Sequence, residues 1–561
     1  MTATISGTER SGAVQGLWRR QIDHYPSNGN RMWYLGIVVA ATVVLYYEFY
    51  IAGAVSPTII AGFGMTFPFY VYITVVANAV GAFGSLAAGL ADRWGRANLV
   101  AYGLVITALI CLVGIPNASG KWSFAALFVV MGLVEGVILV ATPALVRDFS
   151  PQLGRASAMG FWTLGPVVGS LVVAVVSSNT VSHLGAWQDQ FIICGIVGIV
   201  VAAVAIVGLK ELSPQLRDQL MVSHRDRALI EARARGLNIE ETRRRPWQQM
   251  MHLDIIGSAF AISVFLLIYY TAVGFFTVYF TSLHGFSLSK ANSIGNWFWA
   301  FDAGALILVG IVSDRLRVRK PFMVLGAVGG IVMTIVFLNL GATTSYGTFA
   351  VVISILAVFL AIAYAPWMAS FTETVEKRNP ALTATGLAVW GWIIRVVIAV
   401  SVFILPSVIN SMTPLVTYGP QAQAIAAAYP QQIATLGAID AKTLGAMQAN
   451  PADTAAQATA VGEIAKAFSV SPAAATARLV AIAKVPAADQ QFLAAHNASL
   501  ASASAAAPGQ WKDWWWVCVG GQVVFLLFIR GMAGRWRPSK AREDAEEHQR
   551  KVDEEMAALQ A

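Results

Sequence analysis

The 561 residues are 57% hydrophobic and 12% charged, where soluble domains carry roughly 25% charge. That balance excludes an ordinary soluble enzyme and reads as a membrane protein. The formal net charge of +8 would point to nucleic acid in a soluble chain, but here the placement of the charges accounts for it and no nucleic-acid partner is expected.

Residues 1–31 are polar and contain no apolar core, so no cleavable signal peptide is expected. Apolar segments follow near 32–55, 67–91, 98–115, 123–146, 157–177 and 189–209. A second set lies near 254–280, 291–312, 322–340, 347–370, 383–409 and 514–533. Each is about long enough to cross a bilayer, which needs roughly 20 apolar residues per helix. The expected fold is an all-α membrane protein with twelve transmembrane helices in two six-helix halves. With both termini inside, the inner segments hold 30 of the 38 Lys and Arg. This asymmetry puts the chain in the plasma (inner) membrane as a multi-pass protein with cytoplasmic termini.

The boundaries that follow are 1–31 for a cytoplasmic segment, 32–209 for the first bundle and 210–253 for a cytoplasmic linker. Residues 254–410 form helices 7–11, and 411–512 an extracytoplasmic insert between helices 11 and 12. Helix 12 is 513–534, and 535–561 a charged cytoplasmic tail. The linker mixes Arg243, Arg244 and Arg245 with Glu211, Asp218, Glu240 and Glu241, a pattern for short amphipathic helices on the inner membrane surface. The insert is Ala-rich and punctuated by Pro420, Pro430, Pro451, Pro472, Pro486 and Pro508. Its segments 471–484 and 487–496 have helical composition with Pro near their starts. It reads as a small helical cap, a lid, or a dock for a cell-envelope partner. Cys111, Cys194 and Cys518 lie in apolar segments and behave there as small hydrophobes.

One loop recurs. Residues 84–100 read GSLAAGLADRWGRANLV and residues 303–320 read AGALILVGIVSDRLRVRK, each an apolar helix ending in Asp-Arg. Repetition at this interval marks a duplicated membrane domain of the kind on which many secondary transporters are built. The first copy resembles motif A of the major facilitator superfamily, with Asp92, Arg93, Gly95 and Arg96 on its strongest positions. Ala88 and Ala97 depart from the pattern. The second copy keeps Gly310, Asp314 and Arg315 and has Arg317 where the later Gly is expected. The resemblance implies alternating access around a site at mid-membrane, with these loops gating the inner side. A second inner-gate signature, P-x4-E-x2-P-x3-R of sugar-porter-like members, is matched by Pro143, Asp148, Pro151 and Arg155, with Asp for Glu and Arg147 beside it. Its looser counterpart in the second half is Pro366, Glu373, Glu376 and Arg378.

An ionisable group within an apolar span is a site hypothesis by default, because leaving it unpaired in the bilayer costs several kcal/mol (roughly 3 or more). Glu48 lies in the first span between Tyr47 and Phe49. That aromatic–acid–aromatic start resembles the first helices of proton symporters in the superfamily, which carry an acid there, and Glu48 is expected to carry the proton. Glu135 sits mid-way along the fourth span. It matches a later position of the superfamily's fourth-helix motif, whose Arg is replaced here by Gly132. Asp302 and Arg395 occupy the centres of the eighth and eleventh spans, with Trp299 and Trp392 one turn before them. Arg395 must find an anion, either Asp302 or a carboxylate or phosphate of the substrate. Gly165, Pro166 and Gly169 partly resemble an antiporter motif but equally allow close packing.

No metal-ligand spacing, nucleotide loop or Ser/His/Asp set is present, so no cofactor, metal site or enzymatic activity is expected. The sequence predicts proton-coupled symport of a small organic anion. Its rivals are a proton-driven exporter of drugs or metabolites, and a non-transporting receptor or scaffold acting through the insert.

Overall fold

The computed structural model describes residues 18, 20–86, 94–150, 163–213, 216, 246–378, 383–450, 452–532 and most positions of 534–554. The chain forms two compact units, Met1–Ile409 with Gly509–Ala561, and Asn410–Pro508.

The first unit opens with α1 (Asn28–Ala54), α2 (Ser56–Gly62), α3 (Phe67–Leu86) and α4 (Arg96–Leu109), the last continued by a π turn over Ile110–Gly114. Then come α5 (Lys121–Phe149), α6 (Gly165–Thr180) and α7 (Gln188–Gly208). The second half has α8 (Leu253–Phe265), α9 (Leu267–His284), α10 (Leu288–Leu316), α11 (Lys320–Leu338), α12 (Tyr346–Arg378) and α13 (Thr383–Val408). These segments are helical because an apolar solvent leaves the backbone no partner but itself. Eleven helical stretches among the described residues are long and apolar enough to cross a membrane, and α6 is a shorter apolar helix of 16 residues. The segment expected over 157–177 begins among residues outside the described set. The seventh span is two helices meeting at Leu266. Ser263 Oγ takes the carbonyl of Ala259 (2.6 Å) just before that break, a back-bond that bends helices.

Small residues set the packing. In α5, a Cβ at Gly132 would lie 2.6 Å from the Ala77 carbonyl of α3, and one at Gly136 would run into that of Gly81. The position where an arginine was anticipated is thus occupied by the close approach of two helices. Gly165 and Gly169 do the same for α6 against Thr42 and Tyr46 of α1, which accounts for that glycine pair by packing. Within the second half α12 packs on α10 and α11, and α13 on α8. Among the described residues the halves meet through α1 and α2 with α9, α3 with α13, and α6 with α10.

A two-residue parallel ladder, β1 (Gln21–Ile22) with β2 (Glu211–Leu212), ties the N-terminal segment to the start of the linker. The linker's opening residues are therefore extended, and Glu211 is 2% exposed. Residues 214–215 and 217–245 of the linker lie outside the described residues, and a short helix, Pro246–Met250, stands near its end.

The second unit contains α14 (Met412–Thr417), α15 (Gly419–Ala428), α16 (Pro430–Gly437), α17 (Ala441–Ala449), α18 (Thr454–Phe468), α19 (Pro472–Ala481) and the first part of α20 (Ala487–Phe528). Its small core is Ile439, Ala460, Ile464 and Ala475. Asp440, Asp453 and Ser471 cap the helices that follow them with side-chain oxygens, as such residues do at N-caps. Both segments expected to be helical, 471–484 and 487–496, are so. The later part of α20 belongs to the first unit, where Trp514 donates to Thr271 (3.0 Å) and Gln522 to Thr334 (3.0 Å).

Candidate functional site

The four ionisable residues of the spans fall into three environments. Glu48 is fully buried in the first half. Its surroundings are Thr107, whose hydroxyl is the polar group that approaches the carboxylate, Cys111, Cys194 and Gly198, where a Cβ would collide with it. Tyr47 is 1% exposed and its hydroxyl lacks a hydrogen bond. Successive residues on a helix point 100° apart. Tyr47 and Glu48 therefore turn into the bundle, whereas Tyr46 and Tyr50 point at the other half.

Glu135 and Arg395 meet across the halves. Nη2 of Arg395, on α13, lies 3.9 Å from Oε2 of Glu135, on α5, with side chains 17% and 10% exposed. The neighbour of Arg395 is thus Glu135 rather than Asp302. Sequence reasoning missed the residue that makes room for this. A Cβ at Gly81 of α3 would lie 3.1 Å from Arg395 Nη1 and 2.7 Å from the Gly132 carbonyl. Tyr46 and Tyr50 are within electrostatic reach of both Glu135 and Arg395.

Asp302 stands apart on α10, 3% exposed. Tyr269 and Tyr364 are within electrostatic reach of it. Trp299 is 5% exposed and meets Tyr269 edge-on, with ring centroids 4.8 Å apart. Trp392 is 54% exposed and makes no ring contact, so it is not gathered into this cluster. A cavity between the halves is lined by Tyr50, Ser170, Asn292, Gly295 and Trp299 among others.

At one end of the bundle the halves are latched. Asn292 Nδ2 donates to the Ala54 carbonyl (2.9 Å), Ser289 Oγ to the Ser178 carbonyl (2.5 Å) and Asn296 Nδ2 to Ser178 Oγ (3.1 Å). At the other end, the described ion pairs stay within each half. Arg96 grips Asp148 with Nη1 at 2.8 and 3.0 Å from its oxygens. Glu211 Oε2 accepts from the backbone nitrogens of Arg96 (2.6 Å) and Ala97 (3.3 Å), capping the positive end of α4. Gly95, just before them, has φ +87°, and a Cβ there would lie 2.6 Å from Glu211 Oε1. In the second half Arg319 bonds Asp314 (2.7 Å) and Glu373 (3.1 Å), and Arg378 pairs with Asp254 (2.9 Å). Arg315 sits in the last turn of α10. Asp92, Arg93 and Arg155 lie outside the described residues, as does the side chain of Arg147. Among the described residues no group of three or more His, Cys, Asp or Glu could hold a metal ion.

A family model described as Major Facilitator Superfamily matches residues 38–402. Probable anion transporter 3, chloroplastic, of Oryza sativa subsp. japonica is 24% identical over 261 residues, 44% of this chain and 49% of that protein. The phosphoglycerate transporter protein of Salmonella typhimurium is 29% identical over 132 residues, 23% of this chain and 28% of that one. The chain thus spans half or less of the length of these curated relatives. A solved bacterial homologue of the human lysosomal transporter Spinster, inward-facing and occupied, superposes with TM-score 0.56 at 16% identity, covering 90% of this chain and 98% of that chain. This is a likeness of fold.

Proposed function

The chain belongs to the Major Facilitator Superfamily, and from that premise we propose that it moves a small organic anion together with protons by alternating access between its halves. The observation that carries this reading is the Arg395–Glu135 pair across the halves. A guanidinium at this depth must hold an anion, and the anion beside it is a carboxylate that a proton can neutralise. Protonated Glu135 gives up its claim on Arg395, which is then available to a carboxylate or phosphate of the cargo. When cargo leaves, Glu135 loses its proton and recaptures Arg395. Proton and anion therefore cross together, and in this scheme the coupled proton resides on Glu135. Glu48, enclosed within the first bundle, serves as a second buried acid rather than as a wall of the cavity.

The latch can be given a side. The charge asymmetry assigns the ends of α1 and α6 and the start of α10 to the outer face, so the hydrogen bonds at Ala54, Ser178, Ser289 and Asn292 close the outer end. The same asymmetry assigns both termini to the cytoplasm and the 411–512 insert to the outside of the plasma (inner) membrane, where it caps the transporter or meets an envelope partner. The Arg96–Asp148 and Arg319–Glu373 pairs act in gating by holding the inner ends of each half rigid.

The test is flux in proteoliposomes containing the full chain, with inorganic phosphate, 3-phosphoglycerate and simple carboxylates as probes under an imposed proton gradient. Wild type accumulates at least one of them; Arg395→Gln loses both driven uptake and exchange, and Glu135→Gln loses driven uptake while retaining exchange. Driven uptake that survives Arg395→Gln refutes the assignment. A gradient that expels organic cations instead supports the exporter.

A further inference from the structure

The second half holds a charge for which the scheme above has no use. Asp302 is 3% exposed, its Oδ2 is buried without a hydrogen-bond partner, and among the described residues no Arg, Lys or His pairs with it. It continues a helical face: Asn292, Gly295, Trp299 and Asp302 are spaced three, four and three apart along α10, so all four point the same way. The first three line the cavity between the halves. Asp302 lies on that face one turn beyond Trp299, the last residue of α10 in the cavity wall.

What surrounds it is aromatic. Tyr269 and Tyr364 are within electrostatic reach of Asp302, and Tyr269 stands edge-on to Trp299 at 4.8 Å. Ring faces are electron-rich and attract cations, a tryptophan face most strongly. A carboxylate without a cation, walled by such rings, matches an organic ammonium group and repels an anion. Tyr46 and Tyr50, the latter in the wall of the same cavity, are within electrostatic reach of Arg395, which matches a carboxylate or phosphate.

We propose that Asp302, with Tyr269, Trp299 and Tyr364, forms a subsite for the ammonium group of a zwitterionic substrate whose carboxylate or phosphate is held by Arg395. The inference rests on the anion-binding reading of Arg395, and its test separates the two. A zwitterion neutralises both buried charges at once, which a simple anion cannot do. A permanently unpaired carboxylate at this depth is costly, and a cargo that supplies the missing cation explains its presence.

The experiment measures thermal stabilisation of the purified full chain in lipid–detergent micelles. The probes are the α,ω-amino acids from glycine to 6-aminohexanoate, with alkyl carboxylates and alkylammonium ions of matched length. The expected result is that one or more amino acids bind wild type about 10–100-fold more tightly than the matched carboxylate, the range for a hydrogen-bonded charge. The isosteric Asp302→Asn should erase that advantage and leave carboxylate binding in place. Trp299→Leu should cut it several-fold, and carries the test if Asp302→Asn does not fold. The proposal is overturned if carboxylates bind as well as amino acids, if no ammonium-bearing probe stabilises the protein, or if Asp302→Asn leaves the ratio unchanged, the mark of a group that only takes up a proton. Alkylammonium binding that Asp302→Asn abolishes and Arg395→Gln spares upholds the subsite and refutes the anion reading instead.

Discussion

The pair that bridges the halves can be tested by a double-mutant cycle. Arg395 Nη2 and Glu135 Oε2 are 3.9 Å apart, and both side chains are mostly buried. At an effective dielectric constant near 20, opposite unit charges at about 4 Å attract by about 4 kcal/mol. Desolvation of both groups offsets much of this. Removing one partner does not return that cost, because it strands the other charge; Arg395→Gln or Glu135→Gln alone should each destabilise by about 3 kcal/mol. The double variant strands nothing, so its loss should fall short of the sum by about 2–3 kcal/mol, within the usual range for groups in contact. The assay is reversible unfolding of the four proteins in mixed lipid–detergent micelles at pH 7 and again at acidic pH. The attraction is between carboxylate and guanidinium, so the coupling must shrink once Glu135 is protonated. A coupling below about 0.5 kcal/mol at pH 7, the level of independent sites, would refute the bridge, and a coupling indifferent to pH would refute its charge.

Three further outcomes are expected. Asn292→Ala removes the bond to the Ala54 carbonyl, worth about 1 kcal/mol or a fivefold shift in the closed population. A thiol introduced by Ala54→Cys, at a position 4% exposed, should then react several-fold faster with a membrane-impermeant maleimide; Cys111, Cys194 and Cys518 are all buried, so background is low. Gly81→Ala sets a methyl 2.7 Å from the Gly132 carbonyl and 3.1 Å from Arg395. It should cost about 1–3 kcal/mol as overpacking and lower the unfolding midpoint, with a larger loss of anion exchange than of stability. Arg317 holds φ +54°, a left-handed conformation that costs about 1 kcal/mol or more in a residue with a Cβ. Arg317→Gly should therefore raise the unfolding midpoint; a lower one would mean that the exposed guanidinium contributes more than the strain it imposes.

Much of the architecture was legible because a bilayer allows so few solutions: apolar runs of sufficient length become helices, and Asp-Arg stops them. The site was harder to read, for a specific reason. These helices are apolar nearly all round, so the sequence does not say which face meets which neighbour. In α1 the rotation that sends Tyr46 and Tyr50 toward Glu135 and Arg395 sends Glu48 toward Thr107 and Gly198. Tyr-Tyr-Glu-Phe-Tyr contains both possibilities. The partner of Arg395 was hidden by distance along the chain, since Glu135 lies in the other half. Gly81, which lets them meet, carries no chemistry of its own. Glu211 read as one charge among several in a mixed linker, yet it caps α4 because β1 and β2 draw the linker's start beneath that helix.

The two Asp-Arg loops show what the repeat has kept. Gly95 precedes α4 at φ +87°, and Arg317, at the matching place after the second Asp-Arg, also has a positive φ, +54°, although its glycine is gone. Arg96 then opens α4 and holds Asp148 near the end of α5; Arg319 stands just before α11 and holds Glu373 near the end of α12. Different residues thus tie the same pair of helices in each half. Each half is stitched to itself at this end, while the described polar links between halves are the latch at Asn292, Ser289 and Asn296 and the Arg395–Glu135 pair. Opening the latched end costs a few hydrogen bonds of about 1 kcal/mol each and a pair whose attraction a proton removes. One pH unit of gradient supplies about 1.4 kcal/mol per proton, the same scale as those links. Polar connections this weak between halves this firmly stitched are what allow a proton and a small charged cargo to choose between the two conformations.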